Sequence, residues 1–279
     1  SSHLANAIVN PVIVIAEAAR CIAQGDFKAR LEKKNDDEIG ELSDVINYMA
    51  EELANSEKLK NDFISSVSHE LRTPLTAIRG WGETMLMDEN IDHATLETGM
   101  GVIMRETERL SDMVEELLDF SRMQSGRMKL VKSKMDVLAE LSEAVIMYTE
   151  RAKREGMLLI YDEPDLFVPV FGDRGKLRQV FINVIDNALK YSDPGDTTTV
   201  SARVEGNNII IEVEDTGCCI SSSDLPKIKT KFYKANLTRR GSGIGLAVAD
   251  EIIQMHGGRL DVSSVEGEGT TVTITLPIM

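Results

Sequence analysis

The sequence predicts a multidomain chain. A helical coiled coil comes first, then a helical hairpin that forms a four-helix bundle with a second copy, then an α/β sandwich. Three observations carry this. Ile39, Leu42, Ile46, Met49 and Leu53 recur at spacings of 3, 4, 3 and 4, which is a heptad seam. Two long stretches with one apolar face each follow, the second marked by Ile103, Thr107, Leu110, Val114 and Leu117. Past Ser125-Gly126 the pattern changes to short strand-like runs between helices. The 279 residues suffice for two or three domains.

The elements follow in order. Pro11 opens a first helix that runs to about Gln24, and Gly25-Asp26 end it. A polar connector, Phe27 to Asp36, leads to a second helix starting at Asp37-Glu38-Ile39-Gly40. After Leu53 the seam positions would be Ser56 and Lys60, but the apolar residues are Leu59, Phe63, Val67 and Leu71. That phase shift is a stutter between two coiled segments, a joint through which helix rotation could pass. The next helix is expected to end near Met87, with a polar turn from Asp88 to His93. The hairpin it forms cannot bury its own apolar faces, so homodimerisation is expected. From Lys129 onward strands are expected at Asp165–Phe171, Thr198–Val204, Asn208–Glu214 and Thr270–Pro277, and helices at Val137–Glu155, Arg174–Tyr191 and Gly245–Met255.

Composition narrows the function. A net charge of −15 argues against a nucleic-acid partner while leaving room for a local positive field. Cys21, Cys218 and Cys219 have no zinc or disulfide spacing and read as reduced thiols. No apolar run reaches the ~20 residues of a membrane span, and no signal peptide is visible. The protein is expected to continue upstream of residue 1. Of the histidines, His3 and His93 read as solvent residues, and His256 before Gly257-Gly258 reads as a helix C-cap, where a cation suits the dipole.

The run Ser65-Ser66-Val67-Ser68-His69-Glu70-Leu71-Arg72-Thr73-Pro74-Leu75 is the most informative. Thr73 lies one turn from His69 on the same helix face. Pro74 has no N–H to donate to the carbonyl of Glu70, so a bend just past the histidine is expected. This run resembles the phospho-acceptor box of sensor histidine kinases. The two short helices and connector over residues 4–55 resemble a HAMP domain.

Four islands in the last segment extend the comparison. Asn183, Asn187 and Lys190 fall 4 and 3 apart, on one helix face. Amide oxygens suit hard Mg²⁺, and lysine suits phosphate. Glu214-Asp215-Thr216-Gly217 follows a strand, where an aspartate can accept from the exocyclic amine of adenine. Arg239-Arg240-Gly241-Ser242-Gly243-Ile244-Gly245-Leu246 puts backbone N–H groups at a helix N-terminus, a setting that favours phosphate. Glu266-Gly267-Glu268-Gly269-Thr270 turns into the last strand. Between the second and third islands, Lys227, Lys229, Lys231, Lys234, Arg239 and Arg240 face one acid, Asp224. Such a loop suits a lid over triphosphate.

In this order the islands resemble the boxes of the ATPase fold shared by histidine kinases, type II topoisomerases and chaperones. The chain is thereby identified as resembling the cytoplasmic part of a membrane-anchored sensor histidine kinase of a two-component system. The resemblance implies three domains: a HAMP relay (4–55), a dimerisation and phosphotransfer hairpin (56–127) and a catalytic ATP-binding domain (128–279). It implies that His69 takes the γ-phosphoryl group of ATP through Nε2, that Glu70 accepts from Nδ1–H, and that Thr73 orients water in a reverse phosphatase reaction. It further implies Asn187 as the Mg²⁺ ligand, Asn183 and Lys190 near the phosphates, and Asp215 on adenine. Tyr191, Gly217, Lys234, Arg239, Gly241, Gly243, Gly245 and Leu246 complete the nucleotide site. The implied partners are a second copy and the receiver domain of a response regulator.

Two positions depart from the family pattern. Cys219 stands where a second glycine is usual, which predicts backbone strain if that position needs positive φ. Lys234 follows Phe232-Tyr233 where arginine is frequent, a point charge in place of a fork. Two alternatives stay open: a conformational ATPase that phosphorylates no histidine, and a relay module whose ATP binding is weakened at Cys219.

Overall fold

The computed structural model describes residues 8–33, 36–87, 91–230, 233, 235 and 243–279. It divides into two units, Ser1–Ser65 and Ser66–Met279.

In the first unit, helix α1 (Asn10–Ala23) has proline in its first turn and ends before Gly25, whose φ of 93° suits only glycine. Helix α2 (Glu38–Met87) starts at Asp37, whose Oδ1 accepts from the N–H groups of Ile39 and Gly40 at 3.1 and 3.0 Å. The connector is fastened to α2 by Asn47: its Oδ1 accepts from the Leu31 N–H at 2.8 Å and its Nδ2 donates to the Leu31 carbonyl at 2.9 Å. Leu31 and Ala50 are buried, yet the seam residues Leu42, Met49 and Leu53 are exposed in the single chain.

The boundary between the units falls within α2, which continues without interruption through Pro74 to Met87. The expected turn at Asp88–His93 lies partly outside the described residues. Helix α3 (His93–Gln124) is capped by Asp92, whose Oδ1 accepts from the Thr95 N–H at 2.9 Å. Arg109 of α3 ties the hairpin together through an ion pair with Glu70 of α2 at 3.1 Å.

The remainder is an α/β sandwich. Its elements are β1 (Ser133–Asp136), α4 (Val137–Arg154), β2 (Leu158–Tyr161), β3 (Pro169–Gly172), α5 (Arg174–Lys190), β4 (Thr197–Glu205), β5 (Asn208–Asp215), α6 (Gly245–Met255), β6 (Arg259–Val265) and β7 (Gly269–Pro277). The five-stranded sheet runs β2-β4-β5-β7-β6, parallel at β2–β4 and antiparallel elsewhere, while β1 and β3 form a separate antiparallel pair. The three expected helices match to within one residue. Strands β1, β2 and β6 were not expected, and the strand expected at Asp165–Phe171 forms only at Pro169–Gly172.

Alternation explains the burial. Along β5 the residues Ile209, Ile211, Val213 and Asp215 all turn inward. Helix α5 buries Leu177, Val180, Phe181, Val184 and Ile185. Each such side chain contributes roughly 1.5–3 kcal/mol by leaving water. His256, expected as a cationic C-cap, is instead a buried neutral latch. Its Nε2 accepts from the Asp173 N–H at 2.9 Å, so Nδ1 carries the proton and donates to the Ile252 carbonyl at 2.7 Å. Burial holds its pKa below the ordinary value. The latch joins the end of α6 to Asp173, the N-cap of α5.

Candidate functional site

A cleft of about 530 Å³ opens in the sandwich, lined from α5, the end of β5, the loop after it, the start of α6 and β7. It gathers Asn183, Asn187, Lys190, Tyr191, Asp215, Gly243, Gly245 and Leu246, all expected from the sequence. Gly217 does not line it but sets its shape. A Cβ on Gly217 would lie 2.4 Å from the Tyr191 carbonyl oxygen, so only glycine lets the loop after β5 pass the end of α5. The Cys218 N–H donates to that same carbonyl at 2.9 Å. Lys234, Arg239 and Gly241, with Lys231, Phe232 and Arg240, lie outside the described residues.

Helix α5 presents its three polar residues because its opposite face is apolar and buried. Asn183 is held by a bond from Nδ2 to the Gly245 carbonyl at 3.2 Å, which joins α5 to α6. The N-cap of α6 is Ile244, which has no side-chain oxygen to satisfy the first-turn N–H groups, and Gly243 before it has a φ of 74°. Gly243, Gly245 and Leu246 all line the cleft, so this helix N-terminus opens onto it. An anion would be favoured there.

Asp215 closes the inward row of β5 and is only 4% exposed. Burial pushes its pKa up to about 6, against the opposing pull of the Gly217 N–H, which donates to Oδ1 at 3.0 Å. A buried carboxylate with spare acceptor capacity at a cleft floor suits an amine-bearing ring. Gly269 backs it: with φ of 121° and a Cβ position 1.8 Å from the Asp215 carbonyl oxygen, no side chain fits there.

The loop chemistry differs from expectation in two ways. The Cys219 thiol donates to the Val265 carbonyl at 3.0 Å and accepts from the Gly267 N–H at 3.2 Å, so it fastens the loop after β5 to the turn before β7. Of the expected lid cations, Lys229 donates to the Leu260 carbonyl at 2.6 Å and pairs with Asp250, and Lys227 lies over the Tyr233 ring.

His69 is exposed on α2, and His69, Glu70 and Thr73 are not among the residues lining the cleft. The Thr73 hydroxyl donates to the His69 carbonyl at 3.2 Å. The Glu70 carboxylate is engaged by Arg109, a partner the sequence did not suggest because it sits 39 residues away. Glu116 of α3 also lines the cleft and was not foreseen. Its only sequence signal was an acid on the helix stripe that carries Met113 and Phe120.

The donors fit a magnesium nucleotide. Among the described residues no group of three or more His, Cys, Asp or Glu side chains comes together as a metal cage. Mg²⁺ bound to nucleotide needs only one or two protein oxygens, which an asparagine amide can supply.

Three family models match the chain: "HAMP domain" at residues 3–55, "His Kinase A (phospho-acceptor) domain" at 59–126, and "Histidine kinase-, DNA gyrase B-, and HSP90-like ATPase" at 172–279. The signal transduction histidine-protein kinase BaeS of Escherichia coli is 30% identical over 99% of this chain and 59% of its own length. The sensor histidine kinase YclK of Bacillus subtilis is 33% identical over 95% and 58%. The chain thus spans less than two thirds of these relatives. Among solved structures, the histidine kinase AdeS of Acinetobacter baumannii superposes with a TM-score of 0.56 at 27% identity, over 75% of this chain and 98% of that one. ShkA, solved full-length in complex with AMPPNP, shares the fold with a TM-score of 0.57 at 22% identity, over 80% of this chain and 46% of that one. With the helical relay, the hairpin bearing His69 and the ATPase sandwich in one chain, it belongs to the sensor histidine kinases of two-component systems.

Proposed function

We propose that the chain binds ATP in the α5/β5/α6 cleft, transfers the γ-phosphoryl group to His69, and passes it to an aspartate of a response-regulator receiver domain. The observation that carries this is the convergence of Asn183, Asn187, Lys190, Asp215 and the open α6 N-terminus on one cleft, in a chain that also displays an exposed His69. Asp215 accepts from the adenine amine. Lys190 and the N–H groups at Gly243 and Gly245 donate to phosphate oxygens. Asn187 offers its amide oxygen to Mg²⁺, which when bound neutralises charge on the phosphates.

The His69 imidazole attacks through Nε2. A nitrogen–phosphorus bond forms, the bond to the ADP oxygen breaks, and the electron pair leaves with ADP. Glu70 stabilises the developing cation at Nδ1–H, with Arg109 holding its carboxylate across the hairpin. Thr73 orients water in the reverse reaction on the phosphorylated regulator.

Exposed Leu75, Met100, Met104, Val114 and Leu118 on the hairpin support a homodimeric four-helix bundle. The working divisions are 4–55, 56–127 and 128–279. We place the chain on the cytoplasmic side of a receptor anchored upstream of residue 1. Among the described residues no helix is long and apolar enough to cross a membrane.

Labelling with γ-³²P ATP tests the proposal. The wild type should acquire acid-labile, alkali-stable label, and His69→Gln should lose it while still binding nucleotide. Label retained on His69→Gln would overturn the acceptor, and ATP turnover without label would favour a conformational ATPase.

A further inference from the structure

Helix α3 belongs to the hairpin, yet its Glu116 lines the cleft beside Asn183 and Asn187. A Cβ on Gly245 would lie 3.1 Å from Glu116 Oε1 and 3.6 Å from Asn183 Nδ2. The carboxylate therefore stands at the first residue of α6, where the cleft favours an anion.

This docking is built from both sides. On α3, Met113, Phe120 and Met123 are buried, and Glu116 falls among them at spacings of 3, 4 and 3. Next to it Asp119, 6% exposed, accepts from Lys176 Nζ at 2.6 Å and Gln179 Nε2 at 2.8 Å. On α5, Lys176, Gln179, Asn183, Asn187 and Lys190 follow at 3, 4, 4 and 3. One face of α5 thus carries both the anchor for the hairpin and the groups of the cleft.

We propose that Glu116 is an autoinhibitory acid: anchored by Asp119, helix α3 holds a carboxylate at the phosphate end of the cleft, and ATP binds by displacing it. This rests on the nucleotide reading of the cleft. A carboxylate and a triphosphate seek the same N–H donors and repel one another in a partly desolvated space. Binding of one excludes the other, so the fraction of molecules with α3 undocked scales the apparent affinity for nucleotide. By linkage, nucleotide also favours release of the hairpin from the sandwich.

Calorimetric titration of the full chain with a non-hydrolysable ATP analogue and Mg²⁺ tests this. Glu116→Gln keeps the shape and removes the charge, and should bind about tenfold tighter, or roughly 1.4 kcal/mol. Asp119→Asn, whose side chain does not line the cleft, should tighten binding in the same direction by loosening the dock. Glu115→Gln, at an exposed neighbouring position, should bind like the wild type. Equal or weaker binding by Glu116→Gln, with the wild type binding measurably, overturns the proposal alone. No binding by any of these proteins overturns the nucleotide reading and the proposal with it.

Discussion

Lowering the pH should weaken nucleotide binding through Asp215. Burial raises this acid from the ordinary 3.8 to about 6, so it is a carboxylate only above about pH 6. In the proposed site the adenine amine donates to that carboxylate, and protonation turns one of its acceptor oxygens into a competing donor. With a pKa near 6, about 97% of Asp215 is ionised at pH 7.5 and about 9% at pH 5. Affinity should therefore fall roughly tenfold between these values. Stability moves the opposite way: the native state holds the proton more tightly than the unfolded chain does. The cost of burying the charge is absent below about pH 4, grows as pH rises towards 6, and reaches about 3 kcal/mol above it. Asp215→Asn should hence be more stable at neutral pH, bind nucleotide weakly, and lose this pH dependence. Calorimetric titrations of both proteins from pH 5 to 7.5 separate Asp215 from the ionisation of the nucleotide itself, which is common to both. Parallel pH profiles for wild type and Asp215→Asn would refute the reasoning.

Two further substitutions address the loop after β5 and the acceptor helix. Cys219→Gly relieves strain only if that position needs positive φ, whereas in either case it removes the sulfur bonds to Val265 and Gly267. It should lower stability by about 1 kcal/mol without tightening nucleotide binding, measured by chemical denaturation and calorimetry; tighter binding would restore the strain argument. Thr73→Ala removes a hydroxyl bonded to a carbonyl of its own helix, so stability should change by less than about 0.5 kcal/mol. Regulator dephosphorylation should fall more than autophosphorylation in paired radiolabel assays, and equal loss of both would assign Thr73 a structural role.

The sequence made some elements legible and hid others for definable reasons. Strands β4, β5 and β7 were visible through alternation over eight or nine residues. Strand β2 is four residues with no polar interruption, a short turn after a helix, and β6 carries Asp261, Ser263 and Ser264 at an edge of the sheet. Neither leaves a period to read. At the site, Asn183, Asn187 and Lys190 were legible because helix spacing alone puts them together. Glu116 and Arg109 were not, because their roles depend on where α3 packs, a long-range fact that no local pattern encodes. The Cys219 sulfur bonds were hidden likewise, since they join positions 46 and 48 residues apart.

The sheet also carries an order in time. Strands β4 and β5 are joined by the two-residue turn Gly206-Asn207, with Glu205 opposite Asn208, so their pairing closes almost no loop. Strand β2 lies parallel to β4 across a crossover that contains β3 and α5, so its ladder forms only after a long loop has closed. The hairpin should condense first and the β2 edge should join late. The same asymmetry governs opening: amides of Leu158–Tyr161 should exchange with solvent before those at the centre of β5. Since β2 pairs only at the far edge of the sheet, this fraying can occur while β5, with Asp215 at its end, keeps its ladders to β4 and β7.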